Sequence, residues 1–196
     1  MTYATDLRCT AFAGTRRIAS GPLADVAAAT KAALDAGEAA PIQIFDDATG
    51  RPVELDFRGT AADVLAGLGG GQPSQPEAQA ERRGPGRPRL GVVAREVTLL
   101  PRHWDWLAAQ PGGASVALRR LVDQARRATE DEDLRRAARE AAYRFMNAMA
   151  GDLPAFEEAI RALFAGDRAR FDDLIAGWPQ DVRAHSAALA EAAFPA

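Results

Sequence analysis

Cysteine is almost missing from this chain of 196 residues: Cys9 is the only one. A single thiol allows no intrachain disulfide and no zinc site built from cysteines. Histidine is nearly as scarce. His103 and His185 stand far apart, and neither has a partner at local spacing, which predicts neither a metal site nor a histidine-based reaction. No apolar run approaches the roughly 18–20 residues that a membrane span needs. Residues 1–20 carry Asp6, Arg8, Arg16 and Arg17 with no apolar stretch behind a basic start, so a signal peptide is not expected. The cytoplasm is the expected compartment, and no membrane partner is expected.

The motifs of common enzymes are also missing. There is no Walker loop, no HExxH and no GxSxG, and "LGGGQP" (68–73) lacks the lysine that phosphate cradling needs. Cys9 lies in a strand-like run and reads as a buried structural thiol. Asp46-Asp47 fall at a hairpin turn, where aspartate suits the geometry, and Asp172-Asp173 lie on a helix face. No catalytic residue, metal ligand or cofactor is assigned, and the chain is expected not to be an enzyme.

What the chain does have is a strongly uneven charge. Residues 1–81 hold 6 basic and 11 acidic groups, 82–127 hold 10 and 3, and 128–196 hold 8 and 13. All ten basic residues of the middle are arginine, and the whole chain has one lysine, Lys31. A formal net charge of −3 therefore conceals a positive centre between acidic flanks.

The hydrophobic pattern predicts an α+β fold in four parts. Residues 1–68 read as a small ββαββα domain. "RCTAFAG" and "RRIASG" are short strands, and Leu23, Val26, Ala27, Thr30 and Leu34 follow helical spacing up to Gly37. "PIQIFDD" and "RPVELDF" alternate around "ATG" as a hairpin, and Thr60 with Asp63 forms a capping box for a short helix. Residues 69–91, rich in Gly, Pro and Gln, read as a flexible linker. Residues 92–127 read as strand, helix, helix: "VVAREVTLLP", "RHWDWLAAQ", and a helix N-capped by Ser115 with Leu118, Leu121, Val122 and Ala125 on one face. Trp104 and Trp106 point to different sides of the first helix and are expected to pack in the core.

Residues 128–196 read as a helical bundle. Thr129 with Glu132 is expected to cap a new helix whose stripe is Leu134, Ala138, Ala141, Phe145 and Met149. "AGD" at 150–152 and at 165–167 supplies a stop glycine and a capping aspartate each time, and Pro179 opens the last helix.

Within the positive centre, "RRGPGRPRLG" (82–91) contains Gly86, Arg87 and Pro88 between Arg82, Arg83 and Arg89. This resembles the AT-hook, an extended element that lies in the narrow minor groove of A·T tracts. The resemblance implies that Arg87 enters the groove while its neighbours contact phosphates. Pro85 stands where the element has a second core arginine. Residues 95–127 resemble the ribbon-helix-helix family in their order of parts, although "TLLP" has one residue more than the usual "TLP". That resemblance implies a homodimer whose paired strands (Arg95 to Leu100) lie in the major groove, with Ser115 and the start of the second helix on phosphate. Arg119 and Arg120 would reach further phosphates.

Over nearly its full length the chain also resembles an uncharacterised bacterial family carrying a domain of unknown function. "GRPRLGVVAREVTLLPRHWDWLAAQPGGASVALRRLV", "YRFMNAMAGDLPAFEEA" and "LFAGDRARFDDLIAGWPQDVR" carry that resemblance. The expected function is duplex DNA binding through Arg82, Arg83, Gly86, Arg87, Pro88, Arg89, Arg95, Ser115, Arg119 and Arg120, in a transcription regulator or DNA-organising protein. The alternative is a protein–protein interaction module whose arginines pair with acidic surfaces. A small-molecule enzyme based on the N-terminal domain is a more distant third.

Overall fold

The computed structural model describes residues 7–69, 93 and 95–194. These residues gather into two compact units, one drawn from Met1–Pro73 and Glu132–Ala196, the other from Ser74–Asp131. The fold is α+β, with a three-stranded antiparallel sheet near the N-terminus and helices after it.

In the first unit, β1 (Arg8–Ala13) and β2 (Arg16–Pro22) form a hairpin, followed by α1 (Leu23–Asp35), β3 (Ile42–Asp46) and α2 (Ala61–Gly69). The sheet order is β2–β1–β3, so β1 is central. Successive side chains of a strand point to opposite faces, and both faces of β1 are covered. Cys9 and Ala11 pack with Leu23 and Val26 of α1 and with Ile44 and Val53. Phe12 joins Phe45 in the main core. Hence "CTAFA" is buried at every position, and hydrophobic alternation is lost there. A register shift between Ala11 and Phe12 sets Phe12 opposite Arg17 and leaves Ile18 as the extra residue. The freed Arg17 amide donates to Asp181 Oδ2 at 2.8 Å.

The expected fourth strand at "RPVELDF" is not formed. Pairing stops at one bridge, Phe45 to Pro52, with the Val53 amide donating to the Ile44 carbonyl at 2.8 Å. Val53, Leu55 and Phe57 still pack toward the α1 side of the sheet. Their alternation reflects burial by extended chain without a hydrogen-bond ladder. Other local signals are realised: Gly37 takes φ +86° just past α1, and Thr60 and Asp63 bond reciprocally at the start of α2.

The C-terminal part of the same unit consists of the long helix α4 (Gly113–Met149) from Glu132 onward, α5 (Phe156–Ala165), α6 (Arg168–Ile175), α7 (Gln180–Ala190) and a 3-10 turn, Glu191–Ala193. Gly166 ends α5 in the left-handed region, and the Asp167 carboxylate accepts from the Arg170 amide to cap α6, as "AGD" predicts at 165–167. At 150–152, by contrast, Gly151 is not left-handed, and α5 begins after Ala155 at φ +60°. Phe145, Met146, Leu163, Phe171 and Val182 share one hydrophobic core with Phe12 and Phe45. The N-terminal sheet and the C-terminal helices, which the sequence pattern divides into separate domains, are thus two sides of one core. A small sheet with two apolar faces needs a cover on each.

In the second unit, α3 (Pro101–Ala108) opens with proline at N1, and α4 (Gly113–Met149) begins at Gly113, which like Gly112 before it has positive φ. Ser115 therefore sits inside the first turn, not at the cap. The helix break expected near residue 128 does not occur. Thr129 Oγ1 donates to the Ala125 carbonyl at 3.1 Å, a mid-helix back-bond that replaces the cap. Leu107 and Ala117 are buried, whereas Trp104 and Trp106 are 40% and 49% exposed, contrary to the core packing expected for them. Arg95–Leu100 form no strand with any described residue.

Candidate functional site

Two places in the molecule concentrate polar side chains that the fold does not use for itself. The first is the arginine face of α4. Residues three and four apart share a helix face, and Val116, Arg119, Arg120, Asp123, Gln124 and Arg127 lie together along one open stretch of α4. Arg95, Arg102, Arg119, Arg120, Arg126 and Arg127 are all exposed, and none forms an ion pair with a described residue. Arg119 Nε only donates to the Ser115 carbonyl of its own helix, at 3.2 Å. Downstream, Asp133 pairs with Arg136 and Glu140 with Arg144, so these carboxylates neutralise arginines of the C-terminal part. The surface at 119–127 keeps its positive charge. Ser115 lies in the first turn beside it. Arg82, Arg83, Gly86, Arg87, Pro88 and Arg89 lie outside the described residues, as does most of the linker at 69–91.

The second place is a cleft of about 470 Å³ in the first unit, built on the outer end of the sheet. Thr10 on β1 faces Ser20 on β2 across the ladder. Its hydroxyl lies 3.0 Å from Ser20 Oγ and 2.7 Å from Asp47 Oδ1. One hydroxyl carries one proton, so Thr10 donates to the carboxylate and accepts from Ser20. Asp47 follows β3 in a turn that Asp46 stabilises by accepting from the Ala48 amide at 2.9 Å. From α7, His185 packs edge-on against Phe12 and Phe145 and brings Nε2 to 3.7 Å from Asp47 Oδ1. That separation is too long for a hydrogen bond, and Nε2 is buried without a hydrogen-bond partner among the described residues. Arg17 from β2 and the hydrocarbon of Leu134, Ala137, Ala138, Ala188 and Leu189 complete the lining.

Burial pushes the His185 pKa down, and the Arg17 charge adds to this, while the Asp47 carboxylate opposes it. The neutral ring is the folded-state form. Since the unfolded chain takes up the proton near pH 6.5 and the folded chain only lower, this group's contribution is complete above about pH 6.5 and is lost as pH falls through the folded value. Unfolding by urea at about pH 7.5 and about pH 5 should show a drop in stability on acidification that His185→Gln diminishes. An equal drop in both proteins would remove His185 as its source. On the opposite face of the sheet, burial pushes the Cys9 thiol up to about 12, with Asp47 and Asp46 adding to the shift. Cys9 is the inert buried thiol that its strand position suggests.

The cleft is not visible in the sequence, where His185 and Asp47 lie far apart and carry no common motif. Their only shared signal is a run of small residues on α4 and α7 (Ala137, Ala138, Ala141, Ala188) that leaves room above the sheet. Among the described residues no group of three or more His, Cys, Asp or Glu is arranged to hold a metal. No described helix is long and apolar enough to cross a membrane.

Residues 8–190 match the model of a family described as uncharacterized proteins conserved in bacteria (DUF2239). No curated protein and no solved structure matches the chain.

Proposed function

The chain belongs to this DUF2239 family of bacterial proteins, and we propose that its central arginine-rich part binds duplex DNA as a homodimer, in a transcription regulator or a DNA-organising protein. The observation that carries the reading is the unneutralised arginine surface. Six exposed arginines between 95 and 127 lack a carboxylate partner among the described residues, although the chain as a whole is acidic. Positive charge left unpaired on a helix face is what a phosphate backbone engages, with displacement of its counterions. Arg119, Arg120 and Arg127 lie along one stretch of the helix surface, an arrangement suited to following a groove edge of the duplex. In this reading Arg87 enters the minor groove, Arg82, Arg83 and Arg89 contact flanking phosphates, and Arg95 and Ser115 act as in a ribbon-helix-helix protein.

Support for a second copy comes from exposed apolar side chains of the same unit. Val97, Leu100, Trp104, Trp106, Val116, Leu121 and Val122 are each at least 38% exposed. Large apolar groups gathered in so short a segment favour association. The bacterial cytoplasm, where duplex DNA resides, is the compartment this reading requires.

A gel shift of the intact chain against A·T-rich and G·C-rich duplexes tests the reading. Binding is expected to favour the A·T-rich duplex, and Arg87→Ala should reduce that preference more than it reduces binding to mixed sequence. Light scattering at micromolar concentration should give the mass of a dimer. Failure to shift either duplex, while an acidic polypeptide is bound, would support the protein-interaction reading instead.

A further inference from the structure

We propose that the cleft above the sheet, formed by Thr10, Ser20, Asp47, Arg17 and the small residues of α4 and α7, binds a small aliphatic α-amino acid. The cleft is independent of the DNA-binding surface, since all of its residues lie in the first unit.

The polar wall sets the chemistry of the ligand. Asp47 is partly exposed, and Thr10 Oγ1 is the one hydrogen-bond donor recorded for its carboxylate among the described residues. An ionised carboxylate offers about four lone-pair positions. Most of them are open here, because His185 Nε2 stands too far away to fill one. The Ser20–Thr10–Asp47 relay fixes the carboxylate in place before any ligand arrives. Such a group takes N–H donors, and an ammonium best of all. Arg17 supplies the opposite charge in the same cleft. Its guanidinium makes no ion pair with a described residue, and its charge acts on His185 alongside that of Asp47. A molecule matched to both groups carries an ammonium and a carboxylate.

The facing wall is hydrocarbon. Leu134, Ala137, Ala138 and Ala188 line it, and Leu134 is 58% exposed although the sequence pattern puts it in line with the apolar stripe of α4. A short aliphatic body would cover that side chain and displace water from the alanines. The volume of about 470 Å³ accommodates a small organic ligand. The turn at Gly50 holds this wall and the Asp47 loop together, since the Gly50 backbone sits directly on the Ala141 carbonyl.

Isothermal titration of the full chain with L-leucine, isopentylamine and isocaproate separates the contributions. These probes share one hydrocarbon body and differ in carrying both charged groups, only the ammonium, or only the carboxylate. L-leucine is expected to bind at least about tenfold more tightly than either of the others. Asp47→Asn should reduce L-leucine to the level of isocaproate and leave isocaproate itself no weaker. Arg17→Gln, at an exposed position, should reduce L-leucine to the level of isopentylamine. Ala137→Leu, which fills the apolar side, should weaken all probes that bind. Absence of binding by all three, equal binding of all three, or unchanged L-leucine affinity in the Asp47 and Arg17 variants would overturn the assignment. Circular dichroism of each variant establishes that it is folded before it is titrated.

Discussion

Gly50→Ala should destabilise the first unit by about 3 kcal/mol or more, the sum of a left-handed backbone penalty and a steric clash. Gly50 adopts φ +64°, and a Cβ added there would lie 2.0 Å from the Ala141 carbonyl oxygen and 2.8 Å from its carbon. The obstacle is helix backbone, which cannot rotate away as a side chain would. Relief requires the β3 turn to lift from α4, yet that turn is tied down at several points. The Gly50 amide donates to the Asp46 carbonyl at 2.8 Å, and Arg144 donates to the Thr49 carbonyl at 3.0 Å. Lifting it would also disturb Phe45, which stacks edge-on against Phe145 with ring centres 5.0 Å apart.

The control is Gly37→Ala. Gly37 has φ +86° with no atom within 4 Å of an added Cβ, so only the backbone penalty of about 1 kcal/mol applies. Thermal unfolding should lower the midpoint by roughly 6–12 °C for Gly50→Ala and by roughly a third of that for Gly37→Ala. Equal effects at the two positions would mean that the close approach to α4 contributes nothing.

The second large effect is expected on the arginine face. Reversing Arg119, Arg120 and Arg127 together to glutamate should lower affinity for duplex DNA by at least about a hundredfold, because attraction to phosphate becomes repulsion on both copies of a dimer. The fold should survive. These side chains are exposed and make no ion pair with a described residue, and Arg119 donates only to its own helix. Exposed substitutions of this kind usually change stability by less than about 0.5 kcal/mol each. A folded triple variant that binds DNA like the parent chain would remove α4 from the interface.

Much of the local structure is legible in the residues because local signals act over one turn. Gly37, the Thr60–Asp63 pair, Gly166 with Asp167, and Pro179 mark ends of α1, α2, α5, α6 and α7 as their chemistry predicts. Where the sequence misleads, the same local signal is met by a different local structure. Thr129 has the form of a cap, but helix continues on both sides of it, and its hydroxyl turns back to Ala125 instead. Val53, Leu55 and Phe57 alternate as a strand does, yet the chain leaves β3 after Val53.

The cleft is hidden for a different reason. Thr10, Asp47 and His185 come from three distant segments and meet only because the sheet shares its core with the C-terminal helices. The positive centre, by contrast, is fully visible. Charge density along a chain needs no fold to be counted, and Arg119, Arg120, Arg126 and Arg127 are exposed and without a carboxylate partner among the described residues.

DNA binding is tested most directly by the salt dependence of duplex affinity, followed by fluorescence anisotropy with the intact chain and an A·T-rich duplex. A dimer that neutralises about six to ten phosphates should lose about a thousandfold or more in affinity between roughly 50 and 200 mM salt. Arg119→Ala combined with Arg120→Ala and Arg127→Ala should lower the slope of that dependence as well as the affinity. An affinity that stays level across this range, or a slope that the three substitutions leave unchanged, would contradict a phosphate-binding role for the arginine face.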